Sequence, residues 1–145
     1  MKKPKQIYTT FIRTTPKKLW DAITKPEFTR QYWGKMANVS DWKKGSKWEH
    51  LSPENEVWIK GKVIESIAPK RLVLTWIDPD DLKDRSRVTF EIEKIKDMVC
   101  LTVTHGNFTA SSKMPGKVAF GWPRVISSLK SFLETGEGID IFARS

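Results

Sequence analysis

The sequence predicts an α+β fold in which an antiparallel sheet packs against one long C-terminal helix. Apolar residues recur with helical spacing only near the C-terminus, between Gly121 and Gly136. From Gly45 to His105 the chain instead alternates apolar and polar residues in short runs separated by turn residues. Strands that follow one another through short turns pair antiparallel. We therefore expect a sheet wrapped on the C-terminal helix, with a cavity between them.

The C-terminal helix is predicted from a single apolar stripe. Its members are Trp122, Val125, Ile126, Leu129, Phe132 and Leu133. Pro123 fits only the first helical turn, where its missing N–H is not needed. Gly136 follows the last periodic residue and suits a left-handed C-cap. We expect the helix to end there.

One strand and two short helices are predicted to open the fold. Residues 7–12 are rich in β-branched and aromatic side chains and indicate a first strand. Thr15 and Pro16 supply an N-cap and an N1 proline for a short helix. Pro26 interrupts that helix and begins a second, which is expected to end at Tyr32.

An antiparallel meander is predicted to follow, which brings the sheet to about six strands. Its strands are expected at residues 47–51, 56–67, 72–77, 88–93 and 99–105. The alternation breaks near Glu65, where we expect a β-bulge. Residues 78–84 are rich in aspartate and read as a solvated hairpin loop, and residues 106–114 read as a polar loop leading into the last helix.

Composition favours one domain over residues 1–145, with a core at about 6–136 and a C-terminal tail at 137–145. A single cysteine, Cys100, excludes an internal disulfide, and no apolar run suits a signal peptide or a membrane span. Cytoplasmic location is the expectation. Seven tryptophans in 145 residues make the aromatic content high. Core packing is the first expectation for any single ring, and lining of a cavity is the alternative.

The net charge of +9 favours an acidic protein partner over nucleic acid. The basic residues are spread along the whole chain, and they accompany no zinc-finger, helix-turn-helix or RNA-binding motif. Docking on an acidic partner should weaken as the salt concentration rises, whereas capture of an apolar ligand should not.

The sequence carries no catalytic or metal-binding motif, so we expect no metal and no cofactor. Two histidines and one cysteine have no ligand spacing, and no serine lies in a nucleophile elbow. His105 shares its strand face with Leu101 and Val103 and is the one candidate for acid–base chemistry in the cavity. A histidine whose ring is satisfied inside the fold is the simpler interpretation. His50 shares a strand face with Trp48, and the same two interpretations, acid–base chemistry or a satisfied ring, apply to it with less support.

The ordered set of short motifs resembles one family. These motifs are Thr15-Pro16, Leu19-Trp20, Ala22-Ile23-Thr24, Trp33, Gly61-Lys62-Val63, Pro69-Lys70-Arg71-Leu72, Thr75-Trp76, Val88-Thr89-Phe90, Leu101–His105 and Gly121-Trp122. Together they are similar to the SRPBCC (START-like) superfamily, in the branch of activators of heat-shock-protein-90 ATPase homologues. The resemblance covers residues 6 to 136.

This resemblance implies a helix-grip fold with a cavity between the sheet and the C-terminal helix. It leaves three functions open: a binding protein for a small apolar or amphipathic molecule, a chaperone-ATPase-stimulating or other interaction domain, and a cyclase- or dehydratase-type enzyme. Binding is the first expectation. The candidate cavity residues are Trp20, Trp58, Trp76, Phe90, His105, Trp122 and Phe132. Alternation places Trp58 on the strand face opposite Val57 and Ile59.

Overall fold

A computed structural model describes residues 3–144, which form seven strands and four helices. The strands are β1 (Gln6–Ile12), β2 (Ala37–Ser40), β3 (Lys47–Leu51), β4 (Val57–Ile67), β5 (Arg71–Asp78), β6 (Asp81–Ile95) and β7 (Met98–Gly106). The helices are α1 (Pro16–Thr24), α2 (Pro26–Tyr32), α3 (Met114–Val118) and α4 (Gly121–Thr135).

The seven strands form one antiparallel sheet in the order β1-β7-β6-β5-β4-β3-β2. The first strand pairs with the last, so that Gln6 lies opposite His105 and Ile12 opposite Val99. Consecutive hairpins build the rest of the sheet, and the register shifts between Val63 and Glu65, where the sequence predicted a bulge. The predicted α+β helix-grip fold is confirmed.

Helix α4 buries the predicted apolar stripe. Trp122, Val125, Ile126 and Leu129 are at most 7% exposed, while Phe132 and Leu133 are half-buried at the edge of the same core. Gly136 closes the helix in the left-handed conformation with φ of 88°, and its N–H donates to the carbonyl of Phe132. This close agreement follows from the strength of the helical pattern.

Strand β2 was not predicted, and its shortness explains why. Its four residues, Ala37–Ser40, pair only with β3 at the edge of the sheet and carry no alternation that a sequence pattern would reveal. Thr29 of α2 fixes its entry, because the Thr29 hydroxyl accepts a hydrogen bond of 3.1 Å from the backbone N–H of Asn38.

The predicted loop over residues 78–84 is much shorter in the structure, and two of its aspartates are buried. Strand β5 ends at Asp78 and β6 begins at Asp81. Asp78 and Asp84 are only 8% and 4% exposed. Asp84 accepts hydrogen bonds from the Ser112 hydroxyl and from the backbone N–H of Lys113 at 2.9 Å. The carboxylate therefore holds the polar loop that leads into α3.

The C-terminal tail, residues 137–144, packs on α4 at Arg124 and Ser128. The Ser128 hydroxyl, fully buried, accepts from the Ile139 N–H at 2.8 Å and donates to the Ile139 carbonyl at 3.1 Å. Arg124 donates to the Ile141 carbonyl at 3.1 Å. Gly34 has no Cβ and leaves the space that the Phe142 ring occupies.

Candidate functional site

A groove of about 590 Å³ opens between the sheet and the helices. Strands β3, β4 and β5 form one wall, α3 and α4 form the other, and the chain after α2 and the C-terminal tail close its ends. Most of the lining is apolar: Trp33, Met36, Val57, Trp58, Ile59, Trp76, Met114, Val118, Val125, Ile141 and Phe142. The volume is in the range of small-molecule sites, and the lining suits an apolar occupant.

The charged residues of the groove are mainly acidic, although the chain as a whole is basic. Glu56, Asp78, Asp80 and Lys117 supply them. Lys117 Nζ lies 3.1 Å from Asp78 Oδ2, so this pair is internally compensated. Burial works to raise the pKa of the Asp78 carboxyl, but the Asp80 N–H and the Lys117 ammonium outweigh it and hold that pKa below its usual value. Glu56 and Asp80, both exposed, leave the rim negative.

His50 lines the groove and has one ring nitrogen without a hydrogen-bond partner among residues 3–144. It is 6% exposed on β3, and its Nδ1 is hydrogen-bonded to Asn38 Oδ1 on the neighbouring β2. Because an amide oxygen only accepts, Nδ1 carries the proton and Nε2 keeps a lone pair. Burial lowers the pKa of His50 to about 4, so the ring is neutral at physiological pH. Nε2 makes no hydrogen bond within residues 3–144.

Trp76, whose ring neighbours that of His50, has a buried N–H without an acceptor in the described part of the chain. The indole is 5% exposed, lies on the groove lining, and its Nε1–H finds no acceptor among the residues that the structure describes. The two rings have centroids 6.4 Å apart. A buried N–H without an acceptor costs about 1–3 kcal/mol, so native folds rarely keep one without a reason.

His105 lies behind the groove in a saturated hydrogen-bond network. It is fully buried, its Nδ1 accepts from Trp122 Nε1–H at 3.0 Å, and its Nε2 lies 2.7 Å from the Ser86 hydroxyl. Since an indole only donates, Nδ1 is unprotonated and Nε2–H donates to Ser86. Ser86 in turn donates to the Trp76 carbonyl at 3.4 Å. This orientation leaves no lone pair to accept the serine proton, so the pair cannot act as base and nucleophile.

The pKa of His105 agrees with a structural role. Burial lowers the pKa to about 3, and the nearby Asp84 carboxylate offsets only part of that effect. The ring is therefore neutral at pH 7, and stays so in moderate acid.

The structure brings four of the seven candidate residues together. The ring centroid of Trp76 lies 5.3 Å from that of His105 and 5.6 Å from that of Trp122. Phe90 packs edge to face on Trp122, with centroids 6.0 Å apart. Only Trp76 of this cluster lines the groove. Trp58 also lines it, with 51% of its surface exposed.

The other two candidates lie elsewhere. Trp20 is half-buried against the core. Phe132 packs against Phe28 and Tyr32, with ring centroids 6.2 Å and 5.9 Å apart. Neither lines the groove. In contrast, Trp33 lines the groove, and its ring centroid lies 5.6 Å from that of Trp122. No sequence pattern other than the family motif pointed to Trp33.

Residues 3–144 contain neither a metal-binding cluster nor a membrane-spanning helix. No three His, Cys, Asp or Glu side chains are grouped in a way that would hold a metal ion. No helix in this part of the chain has the length and apolar character needed to cross a membrane.

Comparison with known proteins identifies the family. The profile described as "Activator of Hsp90 ATPase homolog 1-like protein" matches residues 13–134, which is most of the chain. The chain belongs to this family. The resemblance inferred from the ordered motifs is thereby confirmed. A search of curated protein sequences found no significant match.

Solved structures of other proteins share the fold. The Aha1 dimer from Colwellia psychrerythraea aligns with a TM-score of 0.77 at 18% identity, covering 94% of this chain and 100% of that one. CalU16 from Micromonospora echinospora aligns with a TM-score of 0.75 at 21% identity, covering 93% and 76%. An HSP90 activator from Plasmodium falciparum aligns with a TM-score of 0.70 at 25% identity, covering 81% and 86%.

Proposed function

We propose that this protein binds a small apolar or amphipathic molecule in the groove between the sheet and helices α3 and α4. The observation that carries the proposal is a largely apolar groove of about 590 Å³ with three tryptophan rings, Trp33, Trp58 and Trp76, on its lining. Concave, mostly apolar sites of this size with a few polar groups are the usual places where proteins bind small molecules.

Intrinsic tryptophan fluorescence and thermal melting, measured against a panel of neutral aromatic and polyketide-like compounds, test this proposal. A ligand that binds only the folded state must raise the melting temperature, and the rise continues with the logarithm of the free ligand concentration above Kd. We expect saturable quenching together with a raised melting temperature for at least one chemical class. A flat response across the panel would count against the proposal.

A pair of glycine variants locates the binding. Gly121 lines the groove at the start of α4, and a Cβ added there meets no atom within 4 Å, so Gly121→Leu should be accommodated and should fill space at the groove. Gly116 on α3 is equally unobstructed but lies outside the lining, which makes Gly116→Leu the matched control. Loss of binding in the first variant alone is the expected result, and equal binding by both would place the ligand elsewhere.

Family membership favours a second function, which is docking on an Hsp90-type chaperone. A Plasmodium falciparum protein of the same fold is an HSP90 activator, and the net charge of +9 suits an acidic partner. Purified Hsp90 should then show a raised ATPase rate with this protein, and the effect should decline with added salt. An unchanged rate at low salt would remove this function.

An enzymatic role for His105 gains no support from the geometry, because both ring nitrogens are hydrogen-bonded and the ring is fully buried. Cytoplasmic location completes the proposal, and the single cysteine, which allows no internal disulfide, supports it.

A further inference from the structure

A second hollow, of about 590 Å³, lies on the outer face of the sheet, which is turned away from the helices. Along β4 and β5 its lining residues Lys60, Lys62, Thr75 and Ile77 alternate with core residues such as Trp76, which point towards the helices. The sheet itself therefore separates this outer hollow from the groove.

The lining of the outer hollow is basic. Its cations are Lys47 on β3, Lys60 and Lys62 on β4, and Arg85 on β6, and its one carboxylate is Glu49. None of these five side chains forms an ion pair within residues 3–144. The outer hollow thus holds an excess of positive charge that the described chain does not neutralise.

The strand register brings two of these cations together. Lys47 lies directly opposite Lys62 across β3 and β4, and like charges in opposite positions destabilise a sheet. Farther along the same face, by contrast, Arg71 is paired with Glu65 at 3.1 Å and with Glu91 at 3.2 Å. A carboxylate that another molecule places between Lys47 and Lys62 would turn the repulsion into attraction.

Apolar side chains lie among the cations. Ile64, Ile77 and Leu82 belong to the lining, and Leu82 is 52% exposed. Arg85 Nε–H donates to the Leu82 carbonyl at 2.9 Å, which holds the guanidinium close to the Leu82 backbone. Protein–protein interfaces combine apolar side chains with arginine in this way.

The same lining disfavours nucleic acid and lipid. Its one aromatic residue, Trp48, is 1% exposed, so no ring is offered for base stacking. A phosphate backbone would be repelled by Glu49 and would leave Ile77 and Leu82 without an apolar contact. A lipid surface is reached by apolar side chains that project outward, whereas Ile64 and Ile77 are half-buried. A protein segment with acidic and apolar side chains matches every part of the lining.

We propose that the outer hollow docks an acidic protein segment whose apolar side chains contact Ile77 and Leu82 while its carboxylates pair with the surrounding lysines and Arg85. This inference rests on the second function proposed above, docking on an acidic partner, and assigns a surface to it. The groove, with its acidic rim, lies on the other face of the sheet, so a ligand and the partner can bind at the same time.

Fluorescence anisotropy with labelled probes tests this assignment. The probes are the peptides EEEELLEEEE, EEEESSEEEE and KKKKLLKKKK, with an oligothymidylate of the same length, and phosphatidylserine vesicles are tested by co-sedimentation. We expect EEEELLEEEE to bind most tightly, EEEESSEEEE to bind about threefold to tenfold more weakly, and KKKKLLKKKK not to bind. The oligothymidylate and the vesicles should bind more weakly than EEEELLEEEE.

Two variants with the same change of net charge locate the binding. Lys62→Glu reverses an exposed charge on the outer hollow, whereas Lys18→Glu reverses an exposed charge on α1, on the helical side of the sheet. At about 0.1 M salt the Debye length is about 10 Å, so only the first reversal should act on the peptide. Lys62→Glu should weaken EEEELLEEEE binding about threefold to tenfold, and Lys18→Glu should leave it unchanged.

Leu82→Ser tests the apolar part of the surface without changing any charge. It should reduce the advantage of EEEELLEEEE over EEEESSEEEE towards unity, because the exposed Leu82 side chain contacts the leucines. An unchanged ratio would overturn the apolar part of the inference.

The remaining outcomes separate the surface from the docking function. Equal loss of peptide binding in Lys62→Glu and Lys18→Glu would overturn the assigned surface and leave docking on an acidic partner in place. Tighter binding of the oligothymidylate or the vesicles than of EEEELLEEEE would overturn the choice of a protein partner. Absence of binding by both acidic peptides would also overturn the inference, while the Hsp90 ATPase assay decides the docking function independently.

Discussion

Mild acid is expected to destabilise this protein through its two buried histidines. Burial holds the pKa of His50 at about 4 and that of His105 at about 3, against an ordinary value of 6.5. Between these values and 6.5 the unfolded chain binds protons that the folded chain does not. The stabilisation is therefore fully present above pH 6.5 and is lost as the pH falls towards the folded-state pKa values.

The magnitude follows from that difference. On going from pH 7.5 to pH 5.5, each histidine lowers the free energy of unfolding by about 1.4 kcal/mol, and the pair lowers it by about 2.7 kcal/mol. Asp78 and Glu134, whose carboxyl pKa values are held below normal, change the stability in the same direction but at lower pH. The window above pH 5.5 therefore reports mainly on the histidines.

Urea unfolding at the two pH values measures this loss directly. The variant His50→Gln should retain only the contribution of His105, so its loss between pH 7.5 and pH 5.5 should fall to about 1.4 kcal/mol. Equal stability of the wild-type protein at the two pH values would refute the reasoning, because it would mean that both rings are protonated as readily in the folded chain as in water.

Two further predictions concern packing. A Cβ at Gly61 would overlap the carbonyl oxygen of Thr75, so Gly61→Ala should lower the free energy of unfolding by about 2–4 kcal/mol. Gly116→Ala, at an unobstructed position, should be neutral or stabilising. Similar urea midpoints for the two variants would contradict this prediction. Ser128→Ala removes both hydrogen bonds to the Ile139 backbone and should lower the free energy of unfolding by about 1–3 kcal/mol. Relative to the wild type, amide exchange in the variant should speed up more in the tail than in the sheet. Unchanged exchange at Ile139 would show that other contacts hold the tail.

Strong local periodicity explains what could be predicted from the sequence. The stripe on α4 and its glycine cap, the alternation of β5, and the bulge after Val63 are all properties of neighbouring residues. Strand β2 escaped prediction because four residues at a sheet edge take their structure from β3 rather than from their own pattern. Asp84 was read as solvated because its partners, Ser112 and Lys113, lie 28 and 29 residues away.

The groove could be predicted only in outline. A cavity between sheet and helix followed from the fold, and the aromatic content suggested its character. Its actual wall combines segments far apart in the sequence, including Trp33 after α2 and Phe142 in the tail, and no local pattern indicates such meetings. Inward-facing alternation made His105 a candidate for the cavity, with a ring satisfied inside the fold as the simpler interpretation, but it could not name the partners Ser86 and Trp122, which lie 19 and 17 residues away. The single-domain organisation and the roles of the candidate residues stay predictions.

The most direct test of ligand binding follows the indole N–H signal of Trp76 by ¹H–¹⁵N NMR, with the assignment fixed by Trp76→Phe. Titration with a neutral aromatic compound that raises the melting temperature should shift this signal saturably, because the Trp76 ring lies on the groove lining. The Trp122 signal should move less, since its N–H already donates to His105 at 3.0 Å. A Trp76 signal that stays fixed throughout the titration would contradict the account.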